Sequence, residues 1–398
     1  MAAILQNLTY QGIPIWRHDQ VIQWTAQVVS GFLVVFLVAW FFFNIVGAVD
    51  EREIPYGFSF LERAYQTPIG QHFLPYETSD TFLYAFGVAA VNTIVVSIVG
   101  VILATLLGIF VGVCRLSGNW LVAKVALFYV EFFRNVPLLI QLYFWFYIVL
   151  ALPPVREGYA IANRVYINNA GVSMPFPFPD GAAAALFWIA LAAAGIIAGA
   201  VVQRSLAQRE ITTGQPSYPL IGGFATAIVV GAVAWVVISL VAGAPLVVSQ
   251  PGPQGAFGRI AGGFTVSGGL MALLMGLIMY TSSFIAEIVR AGIQSVGRGQ
   301  IEASRALGLS PMDTLRQVTF PQALRVIVPP LISQFLNLTK NSSLAGAIGF
   351  ADLTNVAKTM TQTAPAISIF ILIMAAYLAM SLTYSLIGNL YNRRIRIA

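Results

Sequence analysis

Eight long stretches of this sequence carry almost no charge, at about 25–48, 85–111, 126–150, 183–202, 219–246, 266–289, 330–350 and 366–390. A helix rises 1.5 Å per residue, so about 20 apolar residues cross a hydrocarbon layer ~30 Å thick. Each stretch meets that length. The seventh is the weakest, because Lys340, Asn341, Ser342 and Ser343 interrupt it, and it reads as short or broken. The first run begins after Gln23 and lasts to Val49, too long for a signal-peptide core, and reads as an uncleaved membrane helix. With 58% apolar and 9% charged residues and a mean hydropathy of +0.81, the chain has too little charge to cover itself with water. A soluble domain carries about 25% charged residues. The expected fold is all-α: a polytopic membrane helix bundle of about eight transmembrane helices.

The basic residues set the expected orientation. With the N-terminus inside, the inner segments hold 13 Lys and Arg (Arg17, Arg115, Lys124, Arg204, Arg209, Arg290, Arg298, Arg305, Arg316, Arg325, Arg393, Arg394, Arg396) and the outer segments hold 6 (Arg52, Arg63, Arg156, Arg164, Arg259, Lys358). Positive charge concentrates on the cytoplasmic side, so both termini are expected there. The net charge of +6 clusters beside apolar runs, which points to anionic lipid and not to nucleic acid. The lone Cys114 and the separated His18 and His72 make no disulfide framework and no metal-ligand spacing, so no metal and no cofactor are expected. Trp145, Tyr147, Trp188 and Tyr391 stand near span ends, as interfacial aromatics do. The Pro-, Asn- and Gly-rich stretch 151–180 and the stretch 250–263 read as ordered but irregular loops. No internal repeat is evident.

The loop between the sixth and seventh spans, GRGQIEASRALGLSPMDTLRQVTFPQALRVIVPP, is the most informative segment. Local rules predict two short helices around a sharp turn. The first starts after Gly299 with Glu302 in its first turn, and stops at Gly308, the residue best able to turn left-handed past a helix end. Ser310 then reads as an N-cap, with Pro311 at the first helical position and Asp313 closing a capping-box spacing. Pro321 is expected to end the second helix or kink its exit. A well-capped connector would satisfy the same rules.

The loop resembles the EAA motif of ABC-importer permeases, which runs Glu-Ala-Ala, three residues, Gly, nine residues, Ile, one residue, Leu-Pro. Glu302, Ala303, Ser304, Gly308, Val318, Phe320 and Pro321 fall at those positions, with Ser304, Val318 and Phe320 as departures that roughly keep size or apolar character. Three more segments resemble stretches of polar amino-acid permeases: EFFRNVPLLIQLYFWFY at 131–147, MYTSSFIAEIVRAGI at 279–293 and LTKNSSLAGAIG at 338–349. The additional first span and the block 151–265 make the chain similar to the larger permease subunits of general L-amino-acid and glutamate/glutamine/aspartate/asparagine importers.

That resemblance implies the bundle of a type I ABC-importer permease, translocating polar L-amino acids across a bacterial inner membrane, and a coupling role for Glu302, Ala303, Ser304, Gly308 and Pro321. It implies as partners a dimer of ABC ATPase subunits, a second permease in a heterodimer and a periplasmic amino-acid-binding protein. The expected division is an N-terminal span and loop (1–84), a first part of the permease core (85–150), an inserted block with two extra spans that pads the bundle (151–265), and a second part of the core (266–398) with the cytoplasmic loop at 290–329.

Two clusters are candidates for the substrate path. Tyr280, Ser283, Phe284 and Glu287 share one helix face at i, i+3, i+4, i+7 and offer an aromatic wall, a hydroxyl and a carboxylate for an ammonium. The competing reading pairs Glu287 with Arg290 one turn on. Lys340, Asn341, Ser342 and Ser343 in a broken span could hold a carboxylate, or form a polar subunit contact. Arg134 reads as a snorkelling side chain paired with Glu131, and Pro137 as a kink. A stand-alone secondary transporter is the alternative, but it calls for pseudo-symmetry and mid-membrane coupling residues. A membrane enzyme lacks paired acids. Lys124, Lys340 and Lys358 are the three lysines and none follows a Gly as a phosphate-binding loop requires, so ATP hydrolysis would belong to another chain.

Overall fold

The computed structural model describes residues 9–10, 13–14, 19–179, 182–214, 217–242, 246–254 and 259–397. It is mostly helical. The long elements are α1 (Asp19–Glu51), α2 (Phe82–Cys114), α3 (Trp120–Asn135), α4 (Leu138–Leu150), α5 (Ala182–Thr213), α6 (Pro219–Ala242), α7 (Gly268–Gln294), α8 (Arg298–Ala306), α9 (Phe320–Asn341), α10 (Leu353–Met360) and α11 (Ala366–Ile397). Among the described residues six helices are long and apolar enough to span a membrane, and seven if α3 and α4 count as one span. The expected eight is therefore approximate.

Two of the expected spans take a different form. The stretch 126–150 is not one helix: α3 and α4 meet at a bend of 106°. Pro137 does more than kink the span, because it forms the N-cap of a separate helix. A proline disfavours helical backbone in the residue before it, and Val136 is accordingly extended. The stretch 330–350 is also divided. The helix α9 starts far earlier, at Phe320, and gives way to a 3-10 segment, Ser342–Ile348, closed by Gly349 at φ 74°.

The helix α7 is the axis of the bundle, and small residues let its neighbours close in. A Cβ on Gly108 of α2 would lie 2.6 Å from the Ile285 side chain, and one on Gly112 would lie 2.8 Å from the Ala286 carbonyl oxygen. A stripe of small residues is how helix backbones approach each other where hydrophobic contrast with the lipid is absent. On the other faces of α7, Gly276 meets Leu142 of α4 and Gly292 meets Ile327 of α9. The largest buried cluster follows these contacts, with Leu142, Leu273, Leu277, Ile285 and Leu338 at its centre.

A second layer lies beyond the end of α7 remote from α8. Phe60, Tyr65, Phe82, Val88, Leu353, Met360 and Ile369 form its core. Asn92 ties it together, with Nδ2 donating to the Gln71 carbonyl at 3.0 Å and the Ala351 carbonyl at 2.8 Å, while its Oδ1 accepts from the Phe73 N–H at 3.1 Å. Asp352 is fully buried here, capping α10 through the Thr354 and Asn355 N–H groups at 3.0 and 2.9 Å.

The stretches 151–180 and 250–263, read as irregular loops, are largely built of short strands. In chain order these are β1 (Tyr159–Ile161), β2 (Val165–Asn168), β3 (Gly171–Met174), β4 (Phe176–Pro179), β5 (Leu246–Ser249), β6 (Gly252–Gln254), β7 (Arg259–Ala261) and β8 (Phe264–Ser267). An antiparallel sheet of order β8-β3-β2-β1 joins sequence-distant segments, with Ser173 opposite Thr265 and their hydroxyls 2.9 Å apart. Separate pairs β4-β5 and β6-β7 complete the region. Strands of three or four residues offer too little alternation to be seen in sequence. Between them, α5 and α6 pack on each other, with Gly199 and Gly223 in close contact. Because α5 runs to Thr213, Arg204 and Arg209 lie within its last turns, not in a loop. The helix α1 buries none of its side chains.

Candidate functional site

The arginine-rich loop is a rigid corner whose bonds follow from its sequence. The helix α8 ends at Ala306 with Leu307 as its C-cap, and Gly308 takes φ 77°, which costs an L-residue about 1–2 kcal/mol and glycine nothing. The Gly308 N–H donates to the Arg305 carbonyl at 2.9 Å and the Leu309 N–H to the Ser304 carbonyl at 3.1 Å, the paired bonds of a Schellman cap. Ser310 then caps the next turn, its Oγ accepting from the Asp313 N–H at 3.2 Å and donating to the Asp313 carboxylate at 2.5 Å. Pro311 occupies the first helical turn. Ser304, one of the departures from Glu-Ala-Ala, is buried; it donates to the Ile301 carbonyl at 2.8 Å and its oxygen lies 3.1 Å from the Thr314 hydroxyl, from which it can accept. The hydroxyl thus braces α8 against the turn that follows.

Pro321 does not end the second helical stretch, which runs on to Asn341. It sits in the first turn of α9, directly after a π-helical turn, Thr314–Thr319. A proline withholds one N–H from the ladder and crowds the carbonyl four residues back, and the wider turn lies where that carbonyl must be re-registered. Glu302 and Ala303 are exposed. So are four apolar side chains on the same corner, with Leu307 82%, Met312 69%, Phe320 52% and Leu315 43% exposed.

On α7, Tyr280 and Phe284 do form an aromatic wall, with centroids 4.9 Å apart. Ser283 is fully buried and donates to the Tyr280 carbonyl at 2.6 Å, so its hydroxyl serves the helix itself. Glu287 is engaged on both sides. Arg290 Nε donates to both its oxygens at 3.2 Å, and Arg115 at the end of α2 forms a second ion pair with it. Among the described residues these are the ion pairs. The reading that pairs Glu287 with Arg290 is the one the structure forms, and Arg115 adds a link between two spans. Arg134 does not pair with Glu131. Its guanidinium lies 5.1 Å above the Phe284 ring, while Asn135 bonds Glu131.

The second cluster is separate. Lys340 is exposed at the end of α9, Asn341 is half-buried, and Ser342 is buried with its Oγ donating to the Thr339 carbonyl at 2.7 Å. Ser343 donates to the Lys340 carbonyl at 2.7 Å. The neighbouring Leu338 packs on Gly100 of α2, which stands roughly 22 Å along that helix from Arg115. The structure therefore does not bring Lys340, Asn341 and Ser342 into one site with Glu287.

Three residues gained roles that the sequence did not assign them. Arg115 completes the Glu287 cluster. Tyr129 of α3 lies 2.7 Å from Ser282 Oγ on α7. Gln141 bridges the bend, its Nε2 donating to the Phe133 and Val136 carbonyls at 2.9 Å each. Among the described residues, Gln141 Oε1 and Trp145 Nε1 are buried atoms without a hydrogen-bond partner. Trp145, near the end of α4, is partly buried and packs on the main core. The side chains of Trp188 and Tyr391, and all of His18, lie outside the described residues. No group of three potential metal ligands occurs among the described residues.

Residues 104–397 match the family described as binding-protein-dependent transport system inner membrane component. The chain is 40% identical to the putative amino-acid ABC transporter permease protein YhdX of Escherichia coli K12, over 98% of each chain. It is 40% identical to the general L-amino acid transport system permease protein AapQ of Rhizobium johnstonii, over 93% of this chain and 91% of that one. It is 36% identical to the glutamate/glutamine/aspartate/asparagine transport system permease protein BztB of Rhodobacter capsulatus, over 94% and 93%. A solved structure described as an amino acid ABC transporter with histidines aligns with 79% of this chain and 95% of its own, at 22% identity and a TM-score of 0.45.

Proposed function

Because this chain belongs to the family of binding-protein-dependent transport system inner membrane components and is a permease of ABC amino-acid import, we propose that its corner at 298–321 is where a separate ATPase docks. One observation carries the reading: an exposed apolar surface of Leu307, Met312, Leu315 and Phe320 on a corner fixed by the Gly308 and Ser310 caps. A short helix transmits a push only when its ends are held, and exposed apolar side chains at a rigid corner are what a partner groove covers. Glu302, Ala303, Ser304, Gly308 and Pro321 are the residues of this coupling element.

In the same reading the corner faces the cytoplasm, both termini lie on that side, and this chain holds no ATPase activity of its own. A second permease and a periplasmic binding protein complete the importer. The substrates are polar L-amino acids, acidic ones and their amides or a broader range, in keeping with what the relatives transport by name. The wall of Tyr280 and Phe284 with Arg134 above it supports an aromatic and cationic element of the path, and Ser283 stiffens that wall. Glu287 holds α2 and α7 together at the mouth and does not take the substrate ammonium. Lys340, Asn341 and Ser342 form a second, distant element. The helices α5 and α6, which pack mainly on each other, pad the bundle.

The test changes Leu307→Glu and Met312→Glu together, in a chain co-expressed with its partner subunits. Both side chains are exposed, so the fold tolerates the change. The expected result is normal membrane insertion, with loss of the co-purifying ATPase and of radiolabelled glutamate uptake. Undiminished ATPase recovery and uptake would show that the corner is only a connector.

A further inference from the structure

A cavity of about 720 Å³ opens between α2, α7, the segment 70–73 and the strands β4 and β8. Phe73, Val96, Val99, Phe264, Leu270 and Leu274 give it apolar walls. The aromatic side is ordered, with Phe264 stacked on Phe73 at 6.3 Å and tilted against Phe176 at 5.2 Å. Its lining contains no Asp, Glu, Lys or Arg. A zwitterion buried there would leave both its charges unpaired, at a cost of several kcal/mol per ion, so the cavity does not suit an amino acid.

Two helices give its depth independently. At 1.5 Å per residue, Val95 and Val99 on the cavity wall stand about 30 and 24 Å along α2 from Arg115. Leu270 and Leu274 stand about 26 and 20 Å along α7 from Glu287. The Arg115–Glu287–Arg290 cluster is the charged level at the other end of these spans. A hydrocarbon layer is ~30 Å thick, so the cavity lies in the leaflet opposite the arginine-rich corner and reaches its headgroup boundary.

The polar groups gather at that boundary. Gln71 is committed to the protein, with Nε2 donating to the Thr265 carbonyl at 2.8 Å and Oε1 accepting from the Ser267 N–H at 2.9 Å. His72 is exposed, and its Nδ1 contacts the Leu74 carbonyl at 2.6 Å. The opening continues into the apolar face of α2, where Ile94, Ile98 and Ile102 are 37%, 48% and 53% exposed and Val99 is 36% exposed.

We propose that this cavity binds one acyl chain of a phospholipid from the leaflet opposite the arginine-rich corner, with the headgroup at His72. The volume falls within the 300–1,000 Å³ range of ligand pockets. The walls are apolar, and the lipid-facing surface of α2 leads directly into them. The segments that close the cavity, 70–73, β4 and β8, lie in the N-terminal loop and the inserted block or at its end, so the site belongs to the longer architecture of this chain. It stands apart from the docking corner and from the Glu287 cluster.

The experiment uses the full chain with its co-expressed partner subunits in nanodiscs that contain a phosphatidylglycerol bearing a mid-chain diazirine. After illumination, labelled peptides are mapped. Peptides with Phe73, Val99 and Phe264 are expected to label saturably, with competition by unlabelled phosphatidylglycerol. Val99→Trp fills the mouth and lowers that label about tenfold, while label on α1, which buries none of its side chains, stays unchanged. Val99→Ala, which keeps the cavity open, retains it. Non-saturable label no higher than on α1, or label indifferent to Val99→Trp, would reduce the cavity to ordinary lipid contact and overturn the proposal. Label that appears only when the partner permease is left out would overturn it too, by identifying that subunit as the occupant.

Discussion

Replacing Gly108 by alanine adds one methyl group at the closest approach of α2 and α7. The new carbon would stand 2.6 Å from both Cβ and Cγ2 of Ile285 and 3.0 Å from the Ser282 carbonyl oxygen. Neither Cβ nor a carbonyl can rotate away, so the helices must separate. Forcing extra volume into a packed core costs about 1–3 kcal/mol. Two other glycines of the same helix calibrate the effect. A Cβ on Gly100 meets only the flexible end of Leu338, at 3.2 Å, and one on Gly87 meets nothing within 4 Å. Stability is therefore expected to fall in the order Gly87→Ala, Gly100→Ala, Gly108→Ala, with the first nearly neutral.

The chain carries its own reporter for this series. Its single cysteine, Cys114, is half-buried at the end of α2, packed on the small cluster of Val111, Ala126, Val130 and Ala286. Thermal unfolding followed by a thiol-reactive fluorophore reads the opening of that junction. Ile285→Ala does not rescue Gly108→Ala, because it leaves the Ile285 Cβ in place. Ile285→Gly rescues it in part, because the Ser282 carbonyl remains at 3.0 Å. Equal melting of all three alanine variants would refute the close packing of α2 on α7.

Glu287→Gln leaves Arg115 and Arg290 without their carboxylate, in surroundings where these side chains are only 14% and 27% exposed. A loss on the order of 1–3 kcal/mol is expected, between the values for exposed and buried pairs. The double variant with Arg115→Gln should be less than additive in the same assay, and strict additivity would deny the link between α2 and α7. Burial pushes the Asp352 carboxyl, outside the spans, up to about 6, against the hydrogen bonds from Asn355 and Thr354 that favour the charged form. The folded chain thus holds this proton more tightly than the unfolded chain, whose carboxyl keeps its ordinary value of 3.8. Stability is full below that value, declines as pH rises through about 6, and is flat above it. Asp352→Asn removes the charge and keeps one of the two capping oxygens, so it is expected to raise stability at pH 7.5 by less than the roughly 3 kcal/mol that the shift represents, and to leave stability nearly unchanged near pH 3.5, where protonated Asp352 also keeps one bare carbonyl oxygen. A variant that melts lower at pH 7.5 would show that the ionised carboxylate is needed there.

Local rules read the far end of α8 and the turn after it, but not its start: α8 begins at Arg298, before Gly299, so Glu302 falls outside its first turn. Gly308, Ser310, Pro311 and Asp313 take the conformations their side chains impose, since caps and left-handed turns depend on neighbours within a few residues. The same rules let Pro321 end the second helix, whereas the backbone runs from a π-helical turn straight into α9. The helical face of Tyr280, Ser283, Phe284 and Glu287 was legible as a pattern. What the face does was not, because Arg115 approaches Glu287 from a span 172 residues away. The strands β3 and β8 escaped notice for a related reason: their pairing joins Ser173 to Thr265, and a partner so remote leaves no local periodicity.

By itself the sequence determined that this chain lives in a membrane, roughly where its spans lie, and that a capped corner interrupts them. These properties depend on hydrophobicity and short-range backbone chemistry, and both are written into consecutive residues. Tertiary structure alone decided that α7 is the axis, that Glu287 is tied to Arg115, that the third span is broken at Pro137, and that an apolar cavity lies between α2 and β8. Each of these depends on which distant surfaces come within a few ångströms, and that is fixed by packing small residues against large ones across the bundle, not by any one segment.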